Sequence, residues 1–376
     1  MIKYITKEAQ IIILNWELIK NMNQASNTSK IKYTNDSRNV KEIEKKIFFN
    51  FFQGKSRLAI VSHLDPDGDA MASLSAMTFF CEKQNIFSQI FQFNEPPFPE
   101  YNYWNISIDN IDNLCLNKFD GIIFVDTPSL KRAGFKDNFE VLIPSISIDH
   151  HIDNKYFTDF SLIYPSFCAT AEIIFELLRE SLDYDLPLDK KIMEALLMGI
   201  LFDTYYFQTE NVDAILLERA SFLESKTNSI HILKNILFKN QTPQIYSFWG
   251  KILLNTSLYF NKQVVVAKAD DLLYSEFEKK DKNFSRDFAS EGFINHLMNL
   301  RNVEIAIFIR ELTDVYKVSI RSSIKIASRL ANRFGGGGHE NAAAFRIDKK
   351  TFLSIDELEN SIINTISEIW GEKKEK

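Results

Sequence analysis

Very little in this chain belongs to the chemistry of disulfides, membranes or long nucleic acids. Only three cysteines occur, Cys81, Cys115 and Cys168. They are odd in number and far apart, so they give neither a disulfide framework nor a zinc-ligand spacing; they are expected to be small buried residues in a reducing compartment. No uninterrupted apolar run approaches the roughly 18–20 residues of a membrane span, which excludes a membrane-crossing helix. The opening stretch, MIKYITKEAQIIILNWELIK, is interrupted by Glu8, Gln10, Asn15 and Glu17 and lacks a small-residue cleavage site. It reads as an amphipathic helix rather than a leader, and a cytoplasmic location is expected. A basic excess is also missing: 44 Lys and Arg face 50 Asp and Glu, for a net charge of −6. Proteins that grip long duplex nucleic acid neutralise many phosphates and usually carry such an excess. A small anionic substrate, held by cations and a few Arg or Lys, remains compatible.

What is present describes an ordinary folded protein. The 376 residues are 45% hydrophobic and 25% charged, too long for one ordinary core and comfortable for two domains. A helix over residues 1 to about 22 and a polar linker or loop, NMNQASNTSKIKYTNDSRN, form an N-terminal helical extension, 1–45. Short, nearly all-apolar strands then alternate with helices: RLAIVSH (57–63), SQIFQF (88–93), GIIFVD (121–126) and SISIDHH (145–151), with helices over Val40–Phe52, Asp69–Lys83, Ala169–Leu182 and Leu188–Leu201. That alternation predicts an α/β fold with a parallel sheet covered by helices on both faces, over 46–225. A linker is expected at 226–244. Beyond it, strands in SLYFNKQVVVAKA, NVEIAIFIRE, VYKVSIRSS and AAAFRI, with helices at Phe284–Leu300, Ile324–Phe334 and Ile355–Trp370, predict a smaller α+β domain, 245–371.

Five features carry chemistry. His63-Leu64-Asp65-Pro66-Asp67-Gly68-Asp69 follows the first strong strand. Three carboxylates and an imidazole within seven residues repel one another unless cations hold them, and Pro66 and Gly68 permit a tight turn. Carboxyl ends of strands are where open α/β sheets bind ligands. Asp126 ends GIIFVD, and Asp149-His150-His151 ends SISI; an ionisable group capping an apolar strand is costly unless paired or coordinated, and neighbouring imidazoles suit transition metals or acid/base work. Asp203 follows the apolar run EALLMGILF. Gly335-Gly336-Gly337-Gly338-His339 concentrates four of twelve glycines; it lacks the Gly-Lys-Ser/Thr of a P-loop, but glycine lets backbone amides approach a phosphate. Arg321, ending VYKVSIR, offers a planar fork for a second phosphate contact. Each has a plain alternative when taken alone: an acidic surface turn, a helix N-cap, a structural histidine pair, a capping carboxylate, a flexible loop. Three of the six histidines fall within these motifs and a fourth, His339, follows the glycines; His231 and His296 have no such context.

Together, HLDPDGDA, FVDT, DHH, GILFDT and GGGGHENAAAF, in that order across residues 57–347, resemble the DHH/DHHA1 phosphoesterases, close to the stand-alone enzymes that degrade nanoRNA and cyclic di-AMP. The resemblance implies His63 and Asp67 on one metal, Asp69, His150 and Asp203 on another, and Asp126 bridging both. It implies that Asp149 orients a ligating imidazole, that His151 faces the scissile phosphate and that Asp65 lies beside the ligands. Arg321, Gly336, Gly337, Gly338 and His339 would bind the far end of the nucleotide from the second domain. Where the family usually carries Gly after the second Ala of its GGGGHxxAA pattern, this chain has Ala344; no ligand is lost.

The implied donors, two imidazoles and several carboxylates, favour manganese, with magnesium, iron or cobalt as alternatives, over a thiolate-rich zinc site. The expected activity is hydrolysis of cyclic di-AMP, linear pApA or nanoRNA to mononucleotides, by hydroxide attack supported by two metals roughly 3.5–4 Å apart. The expected partners are a cyclic dinucleotide or short oligonucleotide, no long duplex and no membrane, with a homodimer implied by relatives. A pyrophosphatase-like hydrolase, a processive single-strand exonuclease and a non-catalytic nucleotide sensor are the alternatives.

Overall fold

The computed structural model describes residues 31–34 and 38–374, apart from 97–98, 184, 239–241, 283, 291 and 339; the side chains of 31–34, 238, 288 and 371–374 lie outside that description. The helix expected over residues 1–22 therefore falls outside the described residues, as does His339. The chain forms two compact units that divide between Leu237 and Phe238.

In the first unit, strands β1 (Ile31–Thr34), β2 (Arg57–Val61), β3 (Phe87–Gln92), β4 (Ile108–Asn110), β5 (Gly121–Val125), β6 (Ser145–Asp149) and β7 (Phe160–Ile163) form one sheet, ordered β1-β7-β6-β5-β2-β3-β4. Every pairing in it is parallel. The apolar runs read as strands because both faces are covered. On one face Ala59 and Val61 of β2 and Ile122 and Phe124 of β5 pack with Phe91, Ile111, Phe119 and Ala133. Leu58 and Ile60 alternate to the opposite side, where Phe51 of α1 (Glu42–Phe52) and Leu58 crowd the Cα of Gly121. Helices α2 (Gly68–Lys83), α3 (Thr170–Leu178) and α4 (Pro187–Asp203) pack on one another, α2 against α4 most extensively. The unit closes with α5 (Ala214–Thr227) and α6 (Ile230–Phe238).

Strand order decides where a ligand can sit. From β2 the chain runs to β3 and β4 on one side, then returns to β5, β6 and β7 on the other. Neighbours β2 and β5 thus lead away in opposite directions, and such a switch point opens a crevice at the carboxyl ends of the strands. His63 follows β2 and Asp126 follows β5.

Two expectations are corrected. The stretch read as an N-terminal linker contains β1, which extends the sheet by pairing with β7 from Ile31↔Phe160 to Thr34↔Ile163; its β-branched and aromatic residues, IKYT, suit a strand, and the polar residues around it mask that signal. The 226–244 stretch, expected as a linker, contains the whole of α6, whose leucines and isoleucines recur at helical spacing.

The second unit has a mixed sheet of β8 (Ser257–Tyr259), β9 (Val264–Ala269), β10 (Ile305–Glu311), β11 (Val315–Ser322), β12 (Gly337–Gly338) and β13 (Ala342–Asp348), ordered β12-β13-β11-β10-β9-β8. Only β9 and β10 run parallel. One face carries α11 (Ala327–Arg333) and α12 (Ile355–Lys374) through Leu330, Leu358, Ile362, Ile366 and Ile369. The other carries α7 (Pro243–Leu254), α8 (Asp271–Lys280) and α10 (Phe293–Met298) through Phe248, Trp249, Tyr274, Phe277, Phe293 and Leu297. The helix expected over Phe284–Leu300 is divided into α9 (Arg286–Ser290) and α10, with Gly292 left-handed at φ 71° between them. No helix among the described residues is long and apolar enough to cross a membrane. All three cysteines are free; Cys81 and Cys168 are buried as expected, whereas Cys115 is exposed.

The glycine run has a packing reason. A Cβ on Gly336 would sit 2.3 Å from the Ala344 carbonyl oxygen and one on Gly338 2.6 Å from that of Ala342, so β12 approaches β13 too closely for a side chain. Gly337 has only Asn332 Oδ1 within 4 Å of such an atom, at 3.9 Å. Gly336→Ala is expected to destabilise the protein by about 1–3 kcal/mol, the usual result of overpacking, and Gly337→Ala by under about 0.5 kcal/mol. Denaturant unfolding of the two variants checks the contrast.

A candidate metal centre

Four stretches converge at the carboxyl ends of β2, β5 and β6. Asp67 caps α2, its Oδ1 accepting from the amides of Asp69 and Ala70, both at 3.1 Å. This turns Asp69 inward, where it is fully buried; its oxygens accept from the amides of Thr170 (2.7 Å) and Ala171 (3.1 Å) at the start of α3. Asp126 leaves β5 in the left-handed region, φ 52°, while its own amide still bonds Ile148 in β6. Thr170 Oγ1 donates to its Oδ1 at 2.9 Å. Asp203 is the last residue of α4 and is followed by three left-handed non-glycine residues, Tyr205, Tyr206 and Phe207. Backbone of this kind costs on the order of 1–2 kcal/mol per residue, and such strain gathers at functional sites.

The side chains form three overlapping groups whose candidate ligand atoms all lie within 4.8 Å of one another: His63, Asp67 and Asp126; Asp69, His150 and Asp203; and Asp126, His150 and His151. Asp126 belongs to two of them and is 2% exposed. His63 Nε2 stands 3.4 Å from Asp126 Oδ2 and 3.8 Å from Asp67 Oδ1; His150 Nε2 stands 3.3 Å from Asp203 Oδ2 and 3.6 Å from Asp126 Oδ1. These separations are long for hydrogen bonds. They suit two ligands of one cation, since donors about 2.1 Å from a common ion at octahedral or tetrahedral angles lie about 3.0–3.5 Å apart. The donor set therefore fits divalent cations.

Charge tells the same story. Burial, then the Asp126 and Asp67 carboxylates, push Asp69 well above the usual carboxylate range, and the two amide hydrogen bonds only partly oppose this. Asp203 is raised too, by burial and then by Asp69, Asp67 and Asp126. Asp126 is held well below that range: burial raises it, but the three imidazoles outweigh the burial. Burial lowers His63, yet Asp126 and Asp67 carry it to about 10. Without cations the cluster must take up protons to persist, as crowded carboxylates do.

Asp149 has a different task. Fully buried, it accepts from His151 Nδ1 (2.7 Å), the His151 amide (3.2 Å) and Asn154 Nδ2 (2.7 Å). The imidazole it holds by a hydrogen bond is His151, a member of the group with Asp126 and His150. Burial lowers His151, but Asp149 and Asp126 raise it to about 9. Asp65 stands apart from all three groups: it is exposed and accepts from Asn94 Nδ2 at 2.6 Å.

In the second unit, Arg321 and the glycines meet at one end of the sheet, since Arg321 opposes Ala342 and Gly338 opposes Ala343. Arg321 Nε donates to Asn295 Oδ1 at 3.2 Å. Beside Gly337 a surface depression of about 470 Å³ is lined by Lys325, Ser328, Arg329, Asn332, Arg333 and Glu340. Of the two histidines set aside, His231 is exposed, and the His296 ring lies 4.9 Å from that of Trp249.

Residues 57–200 match the DHH family N-terminal domain and residues 262–371 the DHHA1 domain. The chain belongs to the DHH/DHHA1 family. Among relatives of this DHH/DHHA1 protein, the uncharacterized protein MJ1633 of Methanocaldococcus jannaschii is 25% identical over 336 residues, 85% of this chain and 66% of that one. The bifunctional oligoribonuclease and PAP phosphatase NrnA of Bacillus subtilis is 27% identical over 288 residues, 76% of this chain and 87% of that one. In fold, the crystal structure of an exopolyphosphatase-related protein from Bacteroides fragilis superposes with a TM-score of 0.77, at 24% identity, covering 89% of this chain and 98% of that one.

Several residues of this DHH unit were not legible as part of the site. Thr170 and Ala171 hold Asp69 and Asp126 from a segment, CATAE, with no obvious motif. Asn154 braces Asp149. Gly199 lies mid-helix in α4, and a Cβ there would sit 2.4 Å from Asp69 Oδ1 and 2.5 Å from the Ala171 Cβ; a glycine inside a helix, costing about 1 kcal/mol against alanine, was the available signal. The raised Asp203 carboxyl yields a prediction with a definite sign. A carboxyl raised in the folded state withdraws stability as pH climbs above its unfolded value, near 3.8. With chelator present, Asp203→Asn is therefore expected to melt higher than the parent. The gap should widen from about pH 4 towards neutrality, and thermal unfolding across that range reads it.

Proposed function

We propose that this protein is a divalent-metal-dependent phosphodiesterase that hydrolyses short oligonucleotides, linear pApA and nanoRNA and also cyclic di-AMP, to mononucleotides. The observation that carries the reading is the pair of groups His63-Asp67-Asp126 and Asp69-His150-Asp203, with Asp126 Oδ1 3.6 Å from His150 Nε2 of the second, each with the donor types of a divalent cation. The Bacillus relative named an oligoribonuclease and PAP phosphatase supports it. Manganese is the preferred ion, with magnesium, iron or cobalt as alternatives.

Two cations bound there would lower the pKa of a water towards neutrality and offset charge on the phosphoryl oxygens. The chain's own residues do the rest. Asp126, fixed by Thr170 and by its backbone turn, presents one oxygen towards each group. His151, held through Nδ1 by Asp149, faces the phosphate in this reading, and in its protonated form its remaining N–H would donate to a phosphoryl oxygen as negative charge builds. Arg321 and Gly337 contact the far nucleotide from the DHHA1 unit, with His339 a further donor. Gly336 and Gly338 serve that subsite by letting β12 lie flat on β13. Lys325, Arg329 and Arg333 favour an anionic ligand there.

The deciding experiment incubates the purified protein with manganese and pApA, RNA of two to five nucleotides, cyclic di-AMP, PAP or pyrophosphate, and separates products by chromatography. Mononucleotide from the short nucleotides, abolished by chelator, is expected; hydrolysis of pyrophosphate alone would overturn the assignment. Asp126→Ala is expected to lower kcat by at least about 10³-fold, since one group loses a donor and the other the carboxylate facing its His150. Arg321→Ala is expected chiefly to raise KM for the nucleotide, checked by steady-state kinetics.

A further inference from the structure

The short turn 166–171, between β7 and α3, touches three of the carboxylates and imidazoles of the centre. The Phe167 backbone hydrogen-bonds the His150 ring. The amides of Thr170 and Ala171 hold Asp69, and the Thr170 hydroxyl holds Asp126. A shift of this turn therefore moves donors in both groups at once.

From its other side the turn is gripped by a network of charge, buried at Glu172 and Arg219 and open to solvent at Asp213. Arg38 Nε donates to the Ser166 carbonyl at 2.7 Å and its Nη2 reaches Cys168 Sγ at 2.7 Å and the Asn211 carbonyl at 2.6 Å. Asp213 is its ion-pair partner through Nη1. Glu172, with no solvent exposure, accepts from the Cys168 amide at 2.7 Å and pairs with Arg219, which also reaches Glu176 at 2.9 Å. Arg219, 4% exposed, closes the circuit by donating to the Arg38 carbonyl at 2.6 Å and lies over the Phe167 ring, 4.9 Å from its centroid. Every donor named here has an acceptor, so the network does not merely tolerate burial: it fixes geometry, which unpaired or half-satisfied buried charges cannot do.

Arg38 comes from outside the segment matched to the DHH domain, 57–200. It follows β1, which pairs with β7, the strand that leads into the turn. Strand β1 and Arg38 thus hold the turn twice, by strand pairing before it and by a guanidinium against it. We propose that Arg38, acting with Arg219 and Glu172, is a positioning residue that locks the 166–171 turn and thereby aims Asp69, Asp126 and His150 at the divalent cations. This gives Arg38, which precedes the segment matched to the DHH domain, a role, and it rests on the reading that those side chains bind cations.

The test is calorimetric titration of manganese into the full-length protein, its Arg38→Met and Arg38→Lys variants, and Arg219→Met, with circular dichroism to measure the folded fraction. Arg38→Met is expected to stay folded and to bind manganese about 10-fold or more weakly, the usual cost of removing a group that braces a ligand. Arg38→Lys should recover part of that loss, and KM for the nucleotide at saturating manganese should stay at the parent value. Arg219→Met strands two buried carboxylates and is expected to fold poorly, so Arg38→Met decides. Parental manganese affinity in folded Arg38→Met overturns the clamp while leaving the phosphodiesterase reading intact. A weakening matched by an equal loss of folded protein also overturns it. If the parent protein itself binds no divalent cation, the reading beneath fails instead.

Discussion

Asp67, Asp69, Asp126 and Asp203 gather around one crevice, and their mutual repulsion is the constraint the DHH unit is built to bear. Two of them are essentially without solvent contact, where unpaired anions are expensive. The surrounding structure answers each in a different way: Asp67 becomes a helix cap, Asp69 takes two amides from α3, Asp126 takes a hydroxyl and three nearby imidazoles, and Asp203 ends a helix with His150 opposite. These answers are incomplete, because Asp69 and Asp203 are still displaced towards their protonated forms. The residual cost is what cations would relieve, and relief of that kind couples ligand binding to fold stability.

That constraint explains the close packing behind the crevice. Asp69 can be buried only if α4 offers no side chain at its point of approach, and Gly199 meets this requirement. Gly68 does the same for Phe202, whose ring would collide with a Cβ there at 2.3 Å. Both glycines sit where α2 and α4 press together, so the helix pair is shaped by a polar demand and not by apolar burial alone. The left-handed residues at Asp126 and after Asp203 belong to the same economy of space: each bends the chain sharply where a carboxylate must stop.

How much of this a sequence discloses depends on whether the relevant contact is local. The parallel sheet was legible because buried strands are written as continuous apolar runs, and the site residues at their ends because charges there are conspicuous. The strand Ile31–Thr34 was hidden by polar neighbours, and its pairing partner lies more than a hundred residues away. The same applies to the site. His63, Asp126, His150 and Asp203 announce themselves by type and position, whereas Thr170 and Gly199 act through one amide, one hydroxyl or one missing carbon, and nothing in their own neighbourhood marks them. Asp149 was expected to orient an imidazole, and which one is a distinction that only side-chain direction resolves: the hydrogen bond goes to His151.

The glycine run makes the complementary point about the DHHA1 unit. Four glycines before a histidine invite a single explanation, open backbone facing a phosphate. The geometry divides them: Gly335 is left-handed at φ 74°, Gly336 and Gly338 are small because β13 is close, and Gly337 alone has open room along the strand. A motif of uniform letters thus combines a turn, two packing contacts and one position able to meet a ligand. Its neighbours agree with that division, since the basic depression on α11 borders the Gly337 side of the strand through Asn332. If the proposed reading holds, recognition in this unit would depend on the Gly337 amide and the basic side chains around it, with the remaining glycines setting how closely the strand can lie.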